Sequence, residues 1–250
     1  APWLPLPPLP DALSPWTAPL LLALLAVALV RRAWTPLPFL AVAALLVAWD
    51  QTRLQPWLYQ GVLLLGAFAF TDRARPACRL VLVATYLWSG VGKLNPDFGP
   101  SVLPWAVAPL GAAGALPSAW LAPLGMLLGA GEALIGVGLL VPRTRRAAAV
   151  AAALMHGLLL LALGPLGQRW NPVVWPWNLA LALLVLLLFW HEPDRPRDLL
   201  WPRGWYQRAL VVLVAILPAL HPLGLWDAYL SFSLYSLNVD EAWLAAERGR

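Results

Sequence analysis

Eight apolar runs, each closed by charge or proline, follow one another through the sequence and leave little but a helical membrane bundle for the chain to fold into. They cover 16–30, 37–49, 57–70, 80–91, 119–141, 147–163, 173–190 and 206–220. In hydrocarbon a backbone must satisfy its own N–H and C=O groups, so each run predicts a helix. A perpendicular span needs about 20 residues. The runs at 37–49 and 57–70 fall furthest short of that, and read as a tilted pair or a hairpin. Only 12% of the 250 residues are charged, about half the share a soluble domain carries. So few charges cannot coat a water-facing surface.

Basic residues test this segmentation independently. With the N-terminus outside the cytoplasm, the inner loops hold Arg31, Arg32, Arg73, Arg75, Arg79, Arg143, Arg145, Arg146, Arg195, Arg197, Arg203 and Arg208. The outer side holds Arg53, Lys93, Arg169, Arg248 and Arg250. The excess lies inside at every inner loop, as positive-inside bias requires. The expected fold is therefore all-α: a polytopic transmembrane bundle of about eight spans with both termini extracytoplasmic, in the inner (cytoplasmic) membrane of a bacterium. The whole of 1–250 reads as one membrane domain. The net charge of +5 follows from the inner loops and does not point to nucleic acid, for which no folded surface is available. The start, Ala1-Pro2-Trp3, lacks the basic region of a signal peptide. Sixteen Trp suit the two membrane interfaces. Segments 95–120 and 221–240, rich in aromatic residues and Pro, read as interfacial caps over the outer mouth.

Ionisable groups at membrane depth are costly, which makes them the places to look for chemistry. Glu132 lies nine residues before Val141, and His156 nine residues after Ala147. Their helices share one short turn, so both side chains sit about 13 Å above it. Equal depth predicts a Glu132–His156 contact, read either as a proton-exchanging pair or as a neutral lock between two helices. Gly125, Gly129, Gly131, Gly136 and Gly138 around Glu132 would let a neighbouring backbone come close. Lys93 is the one lysine, and lysine, unlike arginine, can give up its proton when desolvated. It suits a base or an anion holder, or it snorkels to water. Asp50 is either its partner or part of a solvated turn. Gln60 and Asn178 are candidate lining groups. Trp88 and Trp177 could flank a flat ring, although Trp175 and Trp177 also fit an interfacial belt. The histidines at 156, 191 and 221 are scattered, so no protein-ligated metal is expected, and Cys78, alone in the chain, rules out an internal disulfide.

The segment Tyr86-Leu87-Trp88-Ser89-Gly90-Val91-Gly92-Lys93-Leu94-Asn95-Pro96-Asp97-Phe98 resembles a motif of the HTTM and vitamin K-dependent γ-carboxylase group. Gly131-Glu132, Gly136 and Leu139-Leu140-Val141-Pro142-Arg143 resemble the DoxX/DoxD/MauE pattern, in which a Glu-containing helix ends at a basic turn. The tail through Trp226, Asp227 and Tyr229 to Asn238 is similar to that of HTTM-like proteins. The resemblance implies a four-helix membrane core at about 80–190, a lysine at position 93 tied to quinol-driven chemistry, and a lipid quinone between helices near the outer face. The Gly92-Lys93 pair departs from the carboxylases' double lysine, and no large domain follows the last span.

The leading expectation is thus a quinone-linked membrane oxidoreductase component. Lys93, Glu132 and His156 would form the catalytic set, and Trp88, Trp177, Asn178 and Gln60 the quinone contacts. The alternative is a non-catalytic accessory subunit of a larger respiratory or photosynthetic membrane complex.

Overall fold

The computed structural model describes residues 13–30, 36–111, 116–191, 196–201, 203–233 and 236. The described residues are helical with no strand. α1 (Thr17–Val30), α2 (Leu37–Trp49), α3 (Pro56–Phe70) and α4 (Ala74–Gly92) lead to a shorter α5 (Phe98–Val107). Then follow α6 (Ser118–Leu140), α7 (Arg145–Leu163) and α8 (Val174–Phe189). A single turn, α9 (Pro196–Leu200), precedes α10 (Trp205–Leu210), which runs on as a π-helical turn and a 3-10 stretch to Leu223. By length and composition Ser118–Leu140, Arg145–Leu163 and Trp205–Leu223 can each cross a membrane, while α2, α3 and α8 are shorter apolar helices.

α4 is the axis of the bundle. Its Ala77, Leu80, Val81 and Ala84 pack with Tyr59, Leu63 and Ala67 of α3 and with Tyr206, Leu210 and Val214. Its other face sends Leu82, Val83 and Tyr86 against Leu139, Ala149, Ala152, Leu181, Val185 and Phe189 of α6, α7 and α8. Leucines 127, 134, 154 and 158 on α6 and α7 stay exposed. An outer face of this kind belongs against acyl chains. The chain is a membrane protein.

Two sequence expectations shift here. The fourth run is longer than 80–91, because Arg75 and Arg79 lie within α4 and not in a loop. Arg79 is fully buried, with its guanidinium 4.8 Å above the Phe189 ring. A planar cation can be carried into a helix bundle by an aromatic face, so this charge does not end the helix. Within the expected outer cap, 95–120, α5 packs on the start of α6. Arg31, Arg32, Glu192, Pro193, Asp194, Arg195, Tyr235, Leu237, Asn238, Arg248 and Arg250 lie outside the described residues.

Two arginines finish the opposite end. Arg145 Nε and Nη2 donate to the carbonyls of Leu139 and Leu140, which closes the last turn of α6. Arg146 donates to the Trp190 carbonyl at the end of α8.

Candidate functional site

α4 and α6 touch along glycines. A Cβ on Gly90 would collide with the Ala133 backbone, and one on Gly136 would lie 2.7 Å from Leu87 N. A Cβ on Gly129 would meet the Gly90 carbonyl oxygen and Lys93 at 3.0 Å. Backbones this close bring side chains on the flanks of the two helices within bonding reach. Lys93 and Glu132 are those side chains. Lys93 Nζ stands 2.7 Å from Glu132 Oε2, and it also donates to Ser89 Oγ at 2.6 Å and Ser89 O at 3.3 Å. The two side chains are 14% and 13% exposed, so the pair is mostly shut off from solvent.

Glu132 therefore meets Lys93, not His156. Equal depth on α6 and α7 was the ground for that expectation, but two residues at one height can still face different neighbours around a helix. The glycine seam turns the Glu132 face toward α4. His156 instead lies between α4 and α8. Asn178 Nδ2 donates to the Val174 carbonyl at 2.8 Å, and a carbonyl can only accept, so the Asn178 amide orientation is fixed. Its Oδ1 then accepts from His156 Nδ1–H at 2.7 Å. This leaves His156 Nε2 with its lone pair, which accepts from the Tyr86 hydroxyl at 2.9 Å. The imidazole is neutral in this arrangement, with both nitrogens bonded.

Gln60 and Trp177 are also saturated. The Trp177 indole donates to Gln60 Oε1 at 2.7 Å, and Gln60 Nε2 donates to Thr85 Oγ1 at 2.7 Å. Thr85 Oγ1 in turn donates to Val81 O. Trp177 makes its edge contact with Trp57, 6.2 Å between centroids. Asp50 belongs to a turn: it accepts from Thr52 N and Oγ1 and lies 3.3 Å from Arg53 Nε. The Thr52 hydroxyl bond, with Arg53 nearby, holds its carboxyl below the usual range.

Trp88 is different. Its Nε1–H is buried and has no partner among the described residues. Its ring lines a cavity of about 1090 Å³ at the end where α4 stops, between α4 and residues 218–233. Gly92, Leu94 and Asn95 line it too, as do His221, Trp226 and Asp227. Asn95 ties the two walls together, since its Nδ2 donates to Gly92 O and to Ser236 O. His221 Nε2 and Trp226 Nε1 are likewise buried without partners among the described residues. A buried donor or acceptor left unmade costs about 1–3 kcal/mol, and these three nitrogens lie within the wall and do not open onto the cavity. Phe232, nearly fully buried, holds φ at +56° between Ser231 and Ser233. A bulky residue in this region is an outlier that its surroundings must enforce. His221 and Trp226 were not picked out as site residues from the sequence. The aromatic density of the tail was their one signal.

A family model described as methylamine utilisation protein MauE matches residues 68–173. No curated protein and no solved structure matches. The match takes in Trp88, Lys93, Glu132 and His156 and stops one residue short of α8. It corrects the resemblance drawn from the motifs. The similarity is to the MauE family, not to the HTTM and γ-carboxylase group or to DoxX and DoxD. The short motifs mislead for a physical reason. A small-residue helix end with Lys facing a Gly-rich helix with Glu is what any close helix pair holding this ion pair needs.

Proposed function

We propose that the chain is a quinone-linked component of a redox system in the bacterial cytoplasmic membrane, with eight spans and both ends extracytoplasmic, serving amine utilisation of the kind the MauE name describes. The observation that carries this reading is the Lys93–Glu132 pair, a proton-bearing couple held between α4 and α6 where hydrocarbon makes free charge costly. Gly92 and Leu94, which flank Lys93 in sequence, line the Trp88 cavity, so the ion pair is anchored at the edge of space for a ligand. In this reading Lys93 and Glu132 hold and release the proton. His156 is a positioning residue that fixes Tyr86 on α4. A lipid quinone would supply two-electron chemistry when bound, and Trp88 offers it an aromatic side of the cavity wall.

The excess of arginine toward one end of the helices supports the orientation, and the helical structure found over each of the eight apolar runs supports the span count. The test is quinone content after purification in mild detergent. A bound or exchangeable quinone is expected, with exchange altered in Lys93→Ala. No quinone, together with unaltered behaviour of Lys93→Ala, overturns the reading.

A second reading, an accessory subunit without a ligand of its own, is favoured by the saturation of Gln60, Trp177, Asn178 and His156 within the bundle. It predicts a stoichiometric partner in native mass analysis of gently solubilised membranes, and partner activity that survives Glu132→Ala.

A further inference from the structure

We propose that the groove between α6 and α7 holds one acyl chain of an anionic phospholipid, whose head group meets Arg143 at the turn joining the two helices. The groove shares no lining residue with the Trp88 cavity. The proposal does not depend on the quinone-linked reading.

The groove begins in the helical repeat of the sequence. Gly131, Ile135 and Gly138 fall on one face of α6, and Thr144, Ala147 and Ala151 on the facing side of α7. Four of these six carry at most a Cβ, and a space of about 600 Å³ with an almost wholly apolar lining is left between the helices. A Cβ on Gly138 would lie 2.9 Å from the Ala148 Cβ, whereas one on Gly131 meets nothing within 4 Å. The helices thus touch near their turn and leave room toward Gly131. The Thr144 hydroxyl donates to the Gly138 carbonyl at 3.0 Å, so its proton is used within the wall.

Length and charge name the occupant. From Gly131 to Val141 the groove runs roughly 15 Å along α6, about half of the ~30 Å hydrocarbon core. A partner helix crossing the bilayer needs a groove of full depth, while an acyl chain occupies one leaflet. Beyond Gly131 and Ala151 the same two faces carry Leu127, Leu128 and Leu154, all exposed, which close the groove near mid-membrane. Its mouth lies at head-group level. Arg146 donates to the Trp190 carbonyl at 3.0 Å, so the exposed Trp190 shares the height of the turn, and Trp favours the interface. Arg143 sits in that turn between the lining residues Val141 and Thr144 and is exposed. Glu132, held by Lys93, is the one acidic residue of 118–163. No carboxylate on these two helices therefore competes for the Arg143 guanidinium, whose planar donors match a phosphodiester. A zwitterionic head group would bring its own cation beside that guanidinium, and an anionic one does not.

The experiment places the full chain in lipid nanodiscs with a diazirine-tailed phosphatidylglycerol or phosphatidylcholine diluted in unlabelled lipid, and maps the photoproducts by peptide. Saturable phosphatidylglycerol label is expected on 131–151, about fivefold above phosphatidylcholine, the effect of one arginine near the membrane surface. The exposed face of α8 at 179–187 is expected to take both lipids alike. Arg143→Gln is expected to bring the two lipids to equal label on 131–151, and Arg143→Lys to keep the preference. Gly131→Leu fills the open space from α6 and Ala151→Phe from α7. Each is expected to lower the 131–151 label to the level of 179–187. Equal label by both lipids in the wild type, or a preference that survives Arg143→Gln, overturns the anionic head group. Label unchanged in both filled variants overturns the groove. Cross-linking of 131–151 to a second copy of the chain in place of lipid makes a helix the occupant and overturns the proposal.

Discussion

Lys93 Nζ and Glu132 Oε2, thirty-nine residues apart in sequence, stand 2.7 Å from each other across the glycine seam of α4 and α6. Breaking such a pair from one side strands the other charge, which costs about 3–5 kcal/mol, whereas replacing both partners by apolar groups is often neutral. Glu132→Ala is therefore expected to destabilise the bundle by about that amount, and the Lys93→Met, Glu132→Leu double variant to recover most of it. Cys78 supplies the readout. It is the chain's one cysteine, free and 3% exposed, so a thiol-reactive dye reports unfolding during a thermal ramp. A loss below about 1 kcal/mol for Glu132→Ala would show that the pair behaves as an exposed surface bridge.

The seam itself predicts a contrast between glycines on helices that meet there. A Cβ on Gly90 collides with the Ala133 backbone, which cannot swing aside as a side-chain tip can. A Cβ on Gly131 meets nothing within 4 Å. Gly90→Ala is expected to lower stability by about 1–3 kcal/mol. Gly131→Ala is expected to be neutral or to gain up to about 1 kcal/mol from helix propensity. Equal thermal shifts for the two variants would mean that helix propensity, not the interhelical approach, governs these positions.

The bundle was readable in the sequence because hydrophobic run length is a one-dimensional property. Each run became a helix, and even α2 and α3 formed as separate elements. Rotation about a helix axis is not one-dimensional, and there the reading slipped. Depth placed Glu132 level with His156, but only the packing of Gly90, Gly129 and Gly136 reveals that Glu132 faces α4. Gln60, Trp177, Asn178 and His156 were singled out from the sequence as candidate site residues, and in the structure each is hydrogen-bonded within the bundle. Their mutual bonds, Gln60 with Trp177 and His156 with Asn178, come from helices brought together by tertiary contact. Arg79 misled because its stabiliser, the Phe189 ring, is 110 positions away. The aromatic tail was read as a cap, but the cavity beneath it was not foreseen, because only the fold brings 218–233 against the end of α4.

The Tyr86–His156–Asn178 chain predicts a graded response. Tyr86→Phe removes one hydroxyl and leaves His156 Nε2 an acceptor without a donor among buried side chains. The expected loss is about 1–3 kcal/mol. The double variant Tyr86→Phe, His156→Leu removes both ends of that bond and leaves Asn178 Oδ1 as the one orphan, so its loss should fall well short of the sum of the two single losses. The Cys78 dye assay reads all three. Strict additivity would mean that the two side chains do not act on one another.

Orientation in the membrane gives a last prediction. α7 has 19 residues, a length of roughly 28 Å, close to the ~30 Å of a hydrocarbon core. Arg143 lies in the turn before it and Arg169 in the turn after it, and both are exposed. In the proposed orientation the Arg143 end, with Arg145 and Arg146 beside it, faces the cytoplasm. Replacing Cys78 by Ala removes the native thiol, and Arg143→Cys or Arg169→Cys then places a single thiol at either end. A membrane-impermeant maleimide applied to intact spheroplasts is expected to label Arg169→Cys at once and Arg143→Cys only after lysis. Reversed labelling would invert the bundle and move the Trp88 cavity and the Lys93–Glu132 pair toward the cytoplasm. Equal labelling of the two before lysis would mean that α7 does not cross the bilayer.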